Sequence, residues 1–249
     1  MSWMFPRRSG IRAPEPREWI LGALYLPVFL FFLNFAILTY FPALGFPLTE
    51  PRNYFFANLL YMTVNFAVML LIFRRTLWQS LREFEGKMLL SVLIGFGMCY
   101  GANLVLTTAY TVLDIMPENY NQEAVNSLLG GYPLAMTLCT VVLAPLAEEC
   151  LFRGVLFGPF VRKCPWLGYL LSALLFSFIH IMNSIGAQSV RDLLLCFLQY
   201  VPLSLALCWV YQKTKSIWGS IVLHCAVNTI SCLALLASSM AQALEQFNF

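Results

Sequence analysis

The amino-acid sequence predicts an all-α membrane protein, a bundle of about seven transmembrane helices with its N-terminus in the cytoplasm. Three observations predict it: composition, the length of the apolar runs, and the alternation of basic residues between successive connections. Of 249 residues, 60% are hydrophobic and only 11% are charged, and the mean hydropathy is +0.74. A soluble domain carries about a quarter charged residues, so this chain cannot build a surface that faces water. A helix needs roughly 20 apolar residues to cross the hydrocarbon core of a bilayer. Seven runs approach that length, at approximately 19–43, 54–73, 88–112, 133–158, 166–183, 193–211 and 217–239. None alternates with a period of two. Lipid admits only helices and closed barrels, so these runs read as helices.

Taken in order, the first 18 residues form a basic tail with Arg7, Arg8, Arg12 and Arg17. The run behind it is too long for a signal-peptide core and lacks a small-residue cleavage site, so it reads as a retained first span. After the second span, Arg74, Arg75, Arg82 and Lys87 stand with Glu83 and Glu85 on an ordinary solvated face. The connection 113–132 carries Asp114, Glu118 and Glu123 but no Lys or Arg. Its stretch Glu123-Ala-Val-Asn-Ser-Leu-Leu, closed by Gly130-Gly131, predicts a short interfacial helix with a glycine stop. The fifth, sixth and seventh spans follow one another through short connections and should be antiparallel neighbours. No repeat or linker divides residues 1–249, so one integral membrane domain is expected.

Charge orients the bundle. Twelve basic residues (Arg7, Arg8, Arg12, Arg17, Arg74, Arg75, Arg82, Lys87, Arg162, Lys163, Lys213 and Lys215) fall on one side of the alternating connections, and two, Arg52 and Arg191, on the other. The positive-inside rule makes the first side cytoplasmic. The formal charge of +3 comes from residues beside apolar segments, and no nucleic-acid partner is expected. The eight cysteines show no C-x-x-C spacing, and nearly all lie within apolar runs, where cysteine acts as a small hydrophobe.

Ionisable groups within spans are costly and mark functional positions. The fourth span holds Glu148, Glu149 and Arg153, the fifth His180, and the seventh His224 and Asn228. Adjacent helical residues point about 100° apart, so Glu148 and Glu149 cannot both face one small site. Glu149 and Arg153 form an i,i+4 pair with the acid first, which lowers the cost of burying both. Glu148 is left to face the interior as the chemical group, with Glu149 and Arg153 in support. Phe176 and His180 share a face of the fifth span, His224 and Asn228 one of the seventh. All four polar groups fall roughly 10–20 Å from the cytoplasmic helix ends, which allows a shared site. A carboxylate and an imidazole can activate water, and a second imidazole with an amide can donate to an oxyanion. Pro145 removes a donor one turn before Glu148 and is expected to loosen the helix there, while Gly154 and Gly158 permit close helix contact.

The segment Ala144-Pro145-Leu146-Ala147-Glu148-Glu149-Cys150-Leu151-Phe152-Arg153-Gly154 resembles the EExxxR motif of the CPBP family, the CAAX-prenyl proteases and bacteriocin-processing (Abi) enzymes. Phe176–His180 matches that family's FxxxH motif, and His224–Asn228 its HxxxN motif. The resemblance covers about 110 residues, so that 133–239 would hold the catalytic core, and the first three spans match only in being hydrophobic. It implies an intramembrane, glutamate-dependent endopeptidase acting on a peptide or membrane-protein substrate, in the plasma membrane of a prokaryote. Glu148 would be the base that activates water, His180 its assistant, His224 and Asn228 the oxyanion hole, and Glu149 and Arg153 structural. Family members often have eight spans where this chain gives seven. Two histidines and a glutamate (His180, His224 and Glu148) also make a conceivable zinc set. There is no H-E-x-x-H, and the sequence favours a site without metal or other cofactor. A non-proteolytic immunity or scaffold protein and a proton-coupled transporter are the competing readings. The oligomeric state is not legible.

Overall fold

A computed structural model describes residues 14–247, with side chains described through Ser238. Arg7, Arg8 and Arg12 of the expected basic tail lie outside the described residues. Nine helices make up the described chain: α1 (Pro16–Ala43), α2 (Pro51–Ile72), α3 (Arg74–Arg82), α4 (Met88–Val112), α5 (Tyr120–Gly131), α6 (Pro133–Phe157), α7 (Pro165–Ser184), α8 (Val190–Thr214) and α9 (Ile217–Phe247). Seven of them, all but α3 and α5, are long and apolar enough to cross a membrane. Among the described residues there is no strand, and all eight cysteines are free.

The outward surface is apolar in the way lipid requires. Leu24, Phe35, Leu104, Leu134 and Leu194 are among many large hydrophobic side chains left exposed. In water such a surface would be a severe liability, and against acyl chains it carries no penalty. α8 is the central helix, packed against α4, α7 and α9, while α6 packs against α1, α2, α7 and α9. Small residues allow the closest approaches. The ring of Phe73, wholly buried, sits where a side chain on Gly154 would be, with its Cε1 only 2.7 Å from that position.

Two findings depart from the sequence reading. Residues 74–82, for which no element is expected from the sequence, form the amphipathic helix α3, which buries Thr76, Leu77 and Ser80. α5 is longer than its glycine stop suggested, starting at Tyr120 and continuing through Gly131, because Leu128 and Leu129 are buried against the bundle and hold the last turn helical.

α3 ties the two ends of the chain together. The carboxylate of Glu18, buried in the first turn of α1, accepts from the backbone N–H groups of Arg75 (3.2 Å) and Thr76 (3.1 Å) and from the Thr76 hydroxyl. It therefore serves the unpaired donors at the start of α3. At the other end, Ser80 Oγ accepts from Ile217 N–H (3.1 Å), and Trp218 Nε1 donates to the Leu77 carbonyl (2.8 Å), which holds the start of α9. Glu18→Ala would leave two buried backbone donors without acceptors. It is expected to lower stability by about 2–3 kcal/mol, read as a fall in Tm in detergent micelles; an unchanged Tm would refute the tie.

Candidate active site

α6 carries the site and is irregular where the sequence is. Cys139–Leu143 and Cys150–Phe157 are π-helical on either side of the α-helical Ala144–Glu149. The cause of the first is Pro145, which has no N–H. In an α-helix the carbonyl left without a donor would be that of Val141. In the wider register, where Ala144 N–H bonds to the Cys139 carbonyl five residues back, the orphan is instead Thr140. Asn228 Nδ2 donates to that Thr140 carbonyl at 2.8 Å. An amide from α9 thus completes the broken ladder of α6, as membrane helices require. π segments of this kind recur at functional sites.

Arg153 is fully buried, with 0% of its side chain exposed, and so is Glu149. The i,i+4 pair forms, Nη1 donating to Glu149 Oε1 at 3.0 Å. Nη2 donates to the carbonyl oxygen and hydroxyl of Ser204 on α8, at 3.0 and 3.2 Å. The guanidinium also stands 5.1 Å from the centre of the Phe176 ring on α7. One cation thereby joins α6, α7 and α8.

Glu149 does more than balance Arg153. The same Oε1 is 2.9 Å from His224 Nδ1. A carboxylate oxygen accepts, so Nδ1 carries the proton and Nε2 is directed elsewhere. Nε2 lies 3.9 Å from Glu148 Oε2, too far for a hydrogen bond and close enough for electrostatic contact. The neighbouring glutamates therefore hold opposite edges of one imidazole. The sequence pattern paired Glu149 with Arg153 alone, because the His224 contact crosses between helices.

His180 is oriented by its own helix. Its Nδ1 is 2.7 Å from the Phe176 carbonyl, which can only accept, so Nδ1 is the donor and Nε2 is the free nitrogen of the neutral ring. The ring lies between Phe176 (centroids 4.6 Å apart) and Tyr200 of α8 (4.3 Å, stacked). Tyr200 in turn accepts from Asn121 (3.1 Å) and donates to Asn119 (3.2 Å), both in or beside α5. Phe176 also meets His224 edge-on at 5.7 Å, which sets it between the two histidines.

Glu148 and His180 line one cavity of about 490 Å³. Glu148 Oε2 has no hydrogen-bond partner. His224 and Asn228 are not among the cavity-lining residues; they back the site from behind α6. The opposite wall comes from α1, α2 and α5, including Phe29, Asn34, Tyr61, Asn65 and Asn121. These N-terminal residues were missed from the sequence, although asparagines and tyrosines recurring within an apolar span were a signal in plain view. Among the described residues, no three His, Cys, Asp or Glu side chains stand close enough to hold a metal ion.

Residues 130–230, the stretch that contains all three motifs, match the family described as "Type II CAAX prenyl endopeptidase Rce1-like". Over this segment, which is less than half of its length, the chain is similar to the CPBP family. Among its relatives is "Putative membrane peptidase YdiL" of Bacillus subtilis (strain 168), 27% identical over 168 residues, 65% of this chain and 64% of that protein. The match to YdiL thus spans somewhat less than two thirds of its length. Another is "UPF0177 protein YbdI" of Lactococcus lactis subsp. lactis (strain IL1403), 27% identical over 180 residues, 70% of this chain and 91% of that protein. No solved structure matches the chain. The matched segment runs from the end of α5 into α9, so α1 and α2, which wall the cavity, lie outside it.

Arg153→Ala leaves Glu149 as a buried carboxylate without its cation and should cost about 3–5 kcal/mol, measured by unfolding in detergent; unchanged stability would contradict the tie. Asn228→Ala strands the Thr140 carbonyl and should cost about 1–3 kcal/mol in the same assay, whereas an unaltered melting curve would show that water replaces the amide.

Proposed function

We propose that this protein is an intramembrane endopeptidase in which Glu148, assisted by His180, activates water to cleave a peptide bond. The observation that carries the reading is the single cavity into which both side chains open, each with an unengaged atom, Glu148 Oε2 and His180 Nε2. The similarity of residues 130–230 to a peptidase family supports it.

Glu148 accepts a proton from a water molecule held between it and His180 Nε2. The oxygen adds to the scissile carbonyl and forms the new C–O bond. As the tetrahedral intermediate collapses, the C–N bond breaks and the proton held by Glu148 passes to the leaving nitrogen. His224, aligned by Glu149 and 3.9 Å from Glu148 Oε2, steadies the charge changes on that carboxylate. In this reading His224 and Asn228 also stabilise the oxyanion, which for His224 requires a second proton, on Nε2, because its Nδ1–H is given to Glu149. For Asn228 that requires its amide to exchange the Thr140 carbonyl for the substrate oxygen. A metal is not required by these steps. The named relatives are bacterial, which supports a prokaryotic plasma membrane, and the basic connections support a cytoplasmic N-terminus.

Glu148→Ala and His180→Ala are each expected to lower cleavage at least about a hundredfold while leaving Tm in detergent unchanged. The measurement is a comparison of peptide termini in membranes that express wild type or either variant. Termini that depend on the wild-type protein should vanish in both. Their persistence in Glu148→Ala membranes would overturn the mechanism.

A further inference from the structure

One wall of the cavity is a polar ladder on a membrane-spanning helix. Tyr54, Asn58, Tyr61 and Asn65 of α2 recur at intervals of four, three and four, the spacing that keeps side chains on one helix face, and all four line the cavity that holds Glu148 and His180. α2 packs directly on the Ala144–Glu149 segment of α6, so the ladder runs beside Glu148.

Most donors on this wall already have acceptors within the protein. Asn58 Nδ2 donates to the Tyr54 carbonyl (3.0 Å), and the Tyr61 hydroxyl to the Phe29 carbonyl (2.9 Å). Asn34 Nδ2 donates to Asn183 (3.2 Å) and Asn121 Nδ2 to Tyr200 (3.1 Å). Asn65 is different. It is 2% exposed, and its Oδ1 accepts from the Tyr25 hydroxyl at 3.0 Å, which orients the amide. By distance and angle its Nδ2 makes no hydrogen bond, although the side chain stands close enough to the Tyr61 hydroxyl to interact with it. A buried amide N–H without an acceptor is rare in native proteins and costly, more so at membrane depth where bulk water cannot substitute.

We propose that Asn65 is a substrate-binding residue: its Nδ2 donates a hydrogen bond to a main-chain carbonyl oxygen of a peptide laid along α2 beside Glu148. The proposal rests on the reading of Glu148 and His180 as the hydrolytic pair. From Asn58 to Asn65 the helix rises about 10 Å, the length of roughly three residues of extended chain. Among the described residues, five asparagines line the cavity, and Glu148 is its only Asp, Glu, Lys or Arg. Neutral amides match the polar groups of a peptide, whereas a phosphate or carboxylate ligand would call for cations. The ligand is therefore an uncharged, extended peptide segment held by its backbone.

The test uses the full chain in proteoliposomes with a mixed pool of uncharged, end-blocked, quenched-fluorescent decapeptides. Cleavage is followed directly, and binding is followed separately in a Glu148→Gln background. Asn65→Leu is expected to raise KM about tenfold with kcat within about twofold, and to weaken binding in the Glu148→Gln background by the same factor. Tyr25→Phe removes the partner of Oδ1 but leaves Nδ2 in place, and should change KM less than about threefold. Unchanged KM and binding in Asn65→Leu would overturn the proposal. So would equal effects of Tyr25→Phe and Asn65→Leu, which mark a merely structural amide, or no binding of the pool by the wild type. Cleavage that survives in Glu148→Gln would remove the hydrolytic reading alone, because the binding arm still reports on Asn65. Should Asn65→Leu fail to fold, Asn65→Ala is judged by the same outcomes.

Discussion

A guanidinium at membrane depth must find its hydrogen bonds and its counter-charge inside the protein, and Arg153 organises the core around that demand. Glu149 supplies the charge, Ser204 a carbonyl and a hydroxyl, and Phe176 an aromatic face. These three partners lie on three helices, so meeting the needs of one side chain sets α6, α7 and α8 in register. Because Glu149 Oε1 also takes His224, α9 is drawn to the same point. Buried ion pairs contribute little net stability in general, but removing one partner is expensive. Such a pair is suited to specifying an arrangement, and here the arrangement it specifies points Glu148 away from Glu149 and into the cavity.

A second constraint is the proline three residues before Glu148. A helix in lipid cannot leave a carbonyl unpaired, yet Pro145 guarantees that one will be. The chain answers with a π turn and an amide from α9. The glutamate pair then sits on a short α-helical segment between two wider ones, which changes the direction of its side chains relative to a regular helix. The residue that reads from sequence as an oxyanion donor is, in this arrangement, part of what keeps α6 intact. The two roles share one atom, Nδ2, so they are alternatives in time.

The cavity belongs to both halves of the chain. The wall that carries Glu148 and His180 comes from the segment that matches the family, while α1, α2 and α5 face it with asparagines and tyrosines. The family match begins at residue 130, so the wall built by α1, α2 and most of α5 precedes it. Tyr200 links the two, its ring stacked on His180 and its hydroxyl bonded to Asn119 and Asn121 beside the cavity mouth.

The seven spans, their order and the positions of Glu148, Glu149, Arg153, His180, His224 and Asn228 on one face or another were legible in the sequence. Hydropathy is a local property, and an i,i+4 spacing within a helix fixes which residues are neighbours. The Glu149–Arg153 pair follows from that rule alone. Contacts between helices do not, because they depend on how each helix is rotated and how closely it approaches. Only the tertiary structure brings His224 to Glu149, sends Asn228 to Thr140 instead of Val141, and turns Asn65 of α2 toward the cavity of α6. The amphipathic α3 is a different case: its helical period is present in the sequence, but nine largely polar residues are too short and too polar to read as a span. Sequence thus determined which polar groups enter the membrane, and packing decided which of them meet, since in lipid each must find its partner on whichever helix stands nearest.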